Sequence, residues 1–420
     1  MLHLEPHHQA ILAGAAGEAR ALAMRVVCET ARMLGASKLI PIVSAHIDGC
    51  LYHGDSGTLF AERLVADGGQ VAVPTTLNVG ALDLLHPGLE RMTPDRRAMA
   101  RRMMDAYVRL GCRQTWTCAP YQAGHRPSKG QQVAWGESNA VAFCNSVLGA
   151  RTERYGDFLD ICAALCGFVP YVGLHRDEAR VASVAIRCET LDERLTREDA
   201  LYPVLGAWLG AEVGSDVAAF AGLPSALSED RLKALGAAAA SSGSVGLFHV
   251  VGTTPEAPET TIAFGGQRPK QEIVLTGGML RTARDRLSSQ GVASGSDIDA
   301  VAIGSPHLST AEFHRLRQLL AGRRCRLPFY ACTGRHTLDE IERDGTLAQV
   351  RDAGVTVVAD TCIVVTPILP ANRGLLLTNS GKFAHYTKPN TGYDVLYGSL
   401  SDCVETAFAG RLVRDEALWR

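Results

Sequence analysis

The chain has no uninterrupted apolar run approaching the ~18 residues that suggest a membrane span. It also has no surplus of either charge, no C-x-x-C pair and no H-E-x-x-H string. Each absence excludes something. Residues 1–21 carry an early Glu and Pro and no basic segment leading into an apolar stretch, so neither a signal peptide nor a membrane helix is expected and the protein reads as cytoplasmic. Lys and Arg total 42 against 44 Asp and Glu, and a net charge of −2 offers no general basic field for nucleic acid or an anionic membrane. The missing Cys and His pairs remove the common zinc arrangements. The one phosphate-loop candidate, Gly374 with Gly381-Lys382, has too long a spacing and no Ser or Thr after the lysine. No G-x-G-x-x-G follows a predicted strand, so a dinucleotide has no support either. There is no fixed-period repeat and no low-complexity tract.

What is present is a 420-residue chain, long enough for two or three domains. Residues 9–34 recur at helical spacing and lead into the buried strand 38–44. A strand at 70–73 gives way to the polar loop Pro74-Thr75-Thr76-Leu77-Asn78. A charged amphipathic helix over 93–110 precedes a strand at 113–117 and the turn Cys118-Ala119-Pro120-Tyr121. Residues 137–148 read as a helix stopped by Gly149. Strands at 273–275, 300–303, 327–331 and 355–358 alternate with helices at 278–289, 309–321 and 337–352, which argues for a parallel-sheet α/β domain. The expected division is an N-terminal α/β region, 1–222, and a C-terminal one, 245–420. The Ala-, Ser- and Gly-rich stretch 223–244 is a possible joint between them.

Twelve cysteines in a reducing compartment do not call for disulfides. Most are read as small core hydrophobes, Cys162 and Cys166 on one helix among them. Cys118, Cys332 and Cys362 differ in that each follows or ends a predicted strand. Thiolates converging from strand-end loops suit soft iron better than hard magnesium or calcium. Three unrelated core cysteines is the plain alternative, and spacing alone does not decide between them.

Seven strings, in order along the chain, resemble the large subunit of the aconitase X family. They are Ser44-Ala45-His46-Ile47-Asp48-Gly49, Pro74-Thr75-Thr76-Leu77-Asn78, Thr117-Cys118-Ala119-Pro120-Tyr121, Trp135-Gly136-Glu137-Ser138-Asn139-Ala140, Asn145-Ser146-Val147-Leu148-Gly149-Ala150-Arg151-Thr152, Asp360-Thr361-Cys362 and Thr378-Asn379-Ser380-Gly381-Lys382-Phe383-Ala384-His385-Tyr386. The resemblance implies an aconitase-like multidomain α/β arrangement, with mostly parallel sheets flanked by helices, a central cleft, an iron–sulfur cluster and dehydration of a small hydroxy acid. One position departs: where the family carries a cysteine in Gly-Cys-Pro-His, this chain reads Gly304-Ser305-Pro306-His307. Cys118 and Cys362 carry over as metal ligands. For the third, either Cys332 substitutes, or the centre is smaller or a mononuclear iron, or the site is degenerate and the chain is a non-catalytic ligand-binding relative.

The chemistry implied is removal of a weakly acidic C–H proton and departure of hydroxide, which Lewis-acid polarisation by iron assists. His46 or His307 could protonate the departing hydroxide, with Lys382 a third candidate for the catalytic machinery. Ser44, Thr75, Thr76, Asn78, Glu137, Ser138, Asn145, Arg151 and Ser380 are the substrate-binding candidates, Arg151 first among them for a carboxylate. The plain alternatives are helix capping for Glu137 and Ser138, a surface cation for Arg151 and Lys382, and a satisfied turn pair for His46 and Asp48. Families of this type use a serine base on a small domain, which this chain does not resemble at any point, so a separate small subunit completing the active site is expected. The substrate classes implied are cis-3-hydroxy-L-proline, favoured here, and mevalonate 5-phosphate, which would call for a clearer basic or Gly-rich cradle.

Overall fold

A computed structural model describes residues 2–290, 296–370 and 373–419. Its contacts divide the chain into two compact units. One comprises Met1–Leu82 with Met92–Arg180, the other Asp83–Arg91 with Val181–Arg420. The stretch 223–244 lies inside the second unit.

In the first unit, strands β1 (Leu39–Pro41) and β5 (Phe168–Pro170) form an antiparallel pair. Strands β2 (Ala45–Ile47), β3 (Thr75–Leu77) and β4 (Ala134–Trp135) form a parallel sheet in the order β3-β2-β4. The helix Pro94–Arg109 starts where Thr93 accepts from the Arg96 N–H and Pro94 occupies the first turn. It buries Ala100, Met103, Met104 and Tyr107, the three-to-four spacing of one helical face. The apolar stretch expected as one helix over 9–34 is two, Pro6–Leu12 and Glu18–Met33, because Gly14 and Gly17 adopt positive φ between them. The segment read as strand 113–117 runs beside β3 but forms only one bridge, Thr76 to Arg113. The Thr115 hydroxyl takes over the next ladder position by donating to Leu77 O and accepting from Leu77 N.

The second unit holds two all-parallel sheets. Strands β6 (Val184–Arg187), β7 (Ala218–Ala221), β8 (Phe248–Val250) and β9 (Gln271–Val274) are ordered β8-β7-β6-β9. Strands β10 (Ala300–Leu308), β11 (Phe329–Thr333), β12 (Val355–Ala359), β13 (Leu375–Thr378) and β14 (Asp394–Tyr397) are ordered β12-β11-β10-β13-β14. Every residue of β10 is buried, as expected of a central strand covered on both faces. Val301, Ile303, Phe313, Phe329, Ile341 and Leu377 are among the residues of the core around it.

The small residues of 223–244 have a packing role. Helix Glu229–Ser242 lies so close to helix Leu201–Val213 that a Cβ on Gly206 would meet Leu235 O at 2.1 Å. The segment 337–352 is two helices, Arg335–Arg343 and Thr346–Asp352, broken at Gly345 with φ of 78°. Among the described residues no helix is long and apolar enough to cross a membrane.

Candidate active site

Side chains alternate across a strand, so Ser44, His46 and Asp48 share one face of the β2 line, and Thr76 and Asn78 share one face of the β3 line. Register places His46 beside Thr76 and Trp135. His46 Nδ1 lies 2.9 Å from Thr76 Oγ1, which is 2.7 Å from His125 Nδ1. His125 Nε2 is 2.8 Å from Ser44 Oγ. At the C-terminal ends of the strands Asn78 Nδ2 donates to Asp48 Oδ1. Four buried polar atoms in this neighbourhood of the chain lack a partner: His46 Nε2, Asn78 Oδ1, Trp135 Nε1 and Asn139 Oδ1. Buried polar groups are almost always paired, so these four atoms, on three of the motif segments, are open to a polar ligand or to water. Burial holds His46 well below the ordinary histidine range, and burial with the nearby Arg113 takes His125 down to about 4. Both rings are therefore neutral near pH 7.

Other candidates act as the frame of this site. Asp160 Oδ2 accepts from the N–H groups of Asp48 (2.6 Å) and Gly49 (3.2 Å), tying the end of β2 to helix Leu159–Cys166. Burial raises the Asp160 carboxyl to about 6 although these N–H bonds oppose it. Gly136 has to be glycine here, since a Cβ would meet Asp160 Oδ2 at 2.6 Å. Glu137 caps helix Ser138–Phe143, accepting from Ala140 N at 2.7 Å and from Asn139 Nδ2, so the capping alternative describes its geometry. Ser138 is that helix's first residue. The expected helix continues as a π-helical turn, Cys144–Leu148, and stops at Gly149 with φ of 69°.

Asn145 is fully buried. Its amide binds Thr152 through both atoms, and its oxygen also accepts from Arg180 Nη1 at 3.0 Å, so its capacity is taken up by the scaffold. Arg151 pairs with the exposed Asp177 and keeps a buried Nε without a partner. Thr75 turns its hydroxyl to Val73 O at 2.8 Å. Cys118 is buried in this unit, two residues after the positive-φ Trp116.

In the second unit, Cys332 on β11 and Cys362, past the end of β12, come together with Ser305 on β10. The Cys332 thiol, the Val364 N–H, the Lys382 charge and the Ser305 hydroxyl hold Cys362 below the ordinary thiol range, against burial. Gly304 makes the approach of β10 to β11 possible, since a Cβ there would stand 2.2 Å from Cys332 O. Ser380 caps helix Gly381–Thr391, accepting from Phe383 N at 3.0 Å and donating to Ser305 O, and this places Lys382 in the first turn.

The loop carrying Cys362 is fixed from several sides. His307 Nε2 is 3.1 Å from Thr361 O, so this nitrogen carries the hydrogen, and burial pulls the ring down to about 3. Asp360 forms a two-point pair with Arg335 at 2.9 and 2.6 Å, and the Thr361 and Thr366 hydroxyls are 2.6 Å apart. Behind His307, the buried Lys233 binds Asp230, Glu312 and the His307 carbonyl. A cavity of about 330 Å³ borders Ser305, Ser380, Lys233 and Arg231. Arg231 is paired with Asp199.

Among the described residues no group of three or more His, Cys, Asp and Glu side chains comes together to hold a metal ion. The donors in the second unit are instead two thiols and a hydroxyl beside a lysine charge. That set fits a soft iron centre and not a hard cation, which would need several carboxylate or carbonyl oxygens.

Profiles of the three aconitase X domains match in order, the first over residues 1–178, the second over 182–285 and the third over 298–409. The chain belongs to the aconitase X family. The first domain ends where the first compact unit gives way to the second. Cis-3-hydroxy-L-proline dehydratase of Pseudomonas aeruginosa is 42% identical, over 97% of this chain and 70% of that protein. The phosphomevalonate dehydratase large subunit of Methanosarcina mazei is 33% identical, over 98% of each. The crystal structure of Thermococcus kodakaraensis aconitase X, holo form, matches with a TM-score of 0.86 at 32% identity, over 97% of this chain and 100% of that one. The two named relatives are dehydratases, and this aconitase X chain is a hydro-lyase.

Motif order points to most of these positions. His125, Asp160, Lys233 and Arg335 stand in no motif considered in the sequence, and only tertiary contact reveals them.

Proposed function

We propose that the chain dehydrates cis-3-hydroxy-L-proline to a pyrroline-2-carboxylate. The observation that carries this reading is the 42% identity to a cis-3-hydroxy-L-proline dehydratase across nearly the whole chain, against 33% for the phosphomevalonate relative. The side chains support a compact substrate. Four orphan polar atoms suit one carboxylate, one ring nitrogen and one hydroxyl. Of Arg231, Lys233 and Arg315, the basic groups that line the second-unit cavity, the first two are already paired with carboxylates, which weakens a phosphate cradle there.

In this reading Cys332 and Cys362 hold an iron–sulfur cluster, with the Ser305 hydroxyl beside them, and Cys118 stands as a further ligand by family resemblance alone. When bound, the cluster supplies Lewis-acid polarisation of the substrate hydroxyl. His46 is the acid that protonates departing hydroxide, because its Nε2 is unpartnered whereas that of His307 is donated to Thr361 O. Lys382 keeps the thiolates compensated. In the first unit Asn78 and Asn139 offer their orphan carbonyl oxygens to the hydrogen-bond donors of a polar substrate. The C–H proton goes to a serine on a small partner subunit, a reading supported by the large-subunit naming of the Methanosarcina relative.

The test is a steady-state comparison of purified protein, co-expressed with its small partner under anaerobic conditions, on the two substrates. Turnover of cis-3-hydroxy-L-proline with kcat/KM at least 100-fold above that for mevalonate 5-phosphate is expected. The reverse preference would replace the substrate, and no turnover of either by iron-loaded protein would favour a non-catalytic relative.

A further inference from the structure

Ser44, His125, Thr76 and His46 form an unbroken chain of hydroxyl and imidazole groups, with successive separations of 2.8, 2.7 and 2.9 Å. The chain has two different ends. Ser44 is 7% exposed and the next member, His125, is half-buried, while Thr76 and His46 are closed off at 2% and 0%. The inner end is the buried, unpartnered Nε2 of His46. His125 is brought in from a turn, its own N–H bonded to Pro120 O at 3.0 Å, and its ring lies 5.0 Å from Trp135, the same ring that neighbours His46.

Each hydroxyl carries one hydrogen and each neutral ring carries one, so the hydrogens can all point the same way. In one arrangement Ser44 donates to His125 Nε2, His125 Nδ1–H to Thr76, Thr76 to His46 Nδ1, and His46 keeps its hydrogen on Nε2. We propose that this chain is a proton relay serving His46, with His125, Thr76 and Ser44 as its positioning residues. The inference rests on His46 being the acid of the dehydration.

As the C–O bond breaks, its electron pair stays with oxygen and His46 Nε2 gives that oxygen a proton, making water. His46 Nδ1 at once takes the Thr76 hydrogen, Thr76 takes that of His125 Nδ1, His125 Nε2 takes that of Ser44, and Ser44 takes one from solvent. One proton enters and one leaves, and both rings remain neutral, which their burial favours. The proton removed from carbon, returned to Nε2 through water in the emptied site, drives the chain back, and Ser44 gives its proton to solvent. No net proton is consumed, as dehydration requires.

The experiment uses the loaded two-subunit enzyme. Thr76→Val removes the hydroxyl at nearly constant volume and is expected to lower kcat by about 100-fold, the usual scale of acid catalysis, with KM little changed. Thr76→Ser keeps the hydroxyl and should recover most of that loss. His125→Phe should lose activity similarly and regain part of it with added imidazole. A proton inventory bowed in wild type should become linear in Thr76→Val. Unchanged kcat in Thr76→Val, or an equal loss in Thr76→Ser, would overturn the relay.

A readout that needs no turnover separates this proposal from the substrate reading. In histidine-15N spectra, the tautomer signals of both His46 and His125 should move in Thr76→Val. If the His46 signal stays where it is in wild type, the two rings are not coupled and the relay fails, whatever the substrate.

Discussion

Replacing Gly304 by alanine should disable, at its base, the second-unit site proposed to hold a metal centre. Gly304 has φ of +96°, and a Cβ added there stands 2.2 Å from Cys332 O and 2.7 Å from Cys332 N, backbone atoms that have no side-chain freedom to move aside. Placing an L-residue in this conformation costs roughly 1–2 kcal/mol, and overpacking against a fixed strand costs roughly 1–3 kcal/mol more. The sum, roughly 2–5 kcal/mol, corresponds to a fall in melting temperature of roughly 4–20 °C for a unit of this size. Gly322 is the control, because it also has positive φ, +73°, but nothing lies within 4 Å of the point a Cβ would occupy. Gly322→Ala should therefore show only the conformational cost, about 1–2 kcal/mol.

Differential scanning calorimetry with iron analysis on the same samples reads both effects. Gly304→Ala is expected to melt well below Gly322→Ala and to lose iron, since β10 can no longer present Ser305 next to Cys332 and Cys362. If the two variants melt together and both keep wild-type iron, the close β10–β11 approach does not build the site and the reasoning fails.

Acid should weaken the first unit. His46, His125 (about 4) and His175 (about 3) have folded pKa values pulled down by burial. The unfolded rings therefore take up protons below about pH 6.5 while the folded ones do not, and stability falls as pH drops. Asp160, raised to about 6, acts in the opposite sense by binding its proton earlier when folded. These three rings less one carboxyl leave two excess protons in the unfolded state, or about 2.7 kcal/mol lost per pH unit between roughly pH 6 and 4, and His8, also lowered by burial, adds in the same sense. Urea melts followed by tryptophan fluorescence should show that slope, with little change from pH 7 to 8; a flat profile down to pH 4 would contradict it. Lys233→Met should cost about 3–5 kcal/mol, because Asp230 and Glu312 lose the cation that compensates them. Adding Glu312→Gln should return part of that loss, and a melting temperature equal to wild type in the single variant would show the lysine to be unimportant.

Much of the fold is visible in sequence where local chemistry decides it. The parallel second-unit strands stand out because buried strands are short apolar runs bounded by caps, and Ser309 with Glu312 forms a capping box at the predicted helix start. Breaks are harder to see. Gly14, Gly17 and Gly345 interrupt stretches whose apolar periodicity continues across them, and only the positive φ values show where the helices end. The stretch 223–244 resembles a linker in composition, yet its alanines and glycines are what close helix–helix packing requires.

The candidate site divides in the same way. Ser44, His46, Thr76, Asn78, Cys362 and Ser380 stand in motifs and meet other polar groups in space. Asn145 and Glu137 also stand in motifs, but their side chains are occupied by the scaffold. The pairing of Cys332 with Cys362 and Ser305 depends on the order β12-β11-β10, which brings together residues 27 to 57 positions apart in sequence and which spacing does not encode. His125 reaches Ser44 from a loop with no periodic signal, so tertiary folding alone places it.

The most direct test of the account is iron and acid-labile sulfide per chain, with turnover of cis-3-hydroxy-L-proline on the same samples, for wild type, Cys332→Ala and Cys362→Ala prepared anaerobically with the small partner. Stoichiometric iron and sulfide with turnover in wild type, and loss of all three in both variants, is the predicted result. Full iron and undiminished turnover in Cys332→Ala and Cys362→Ala would contradict the assignment of these thiols to the metal centre.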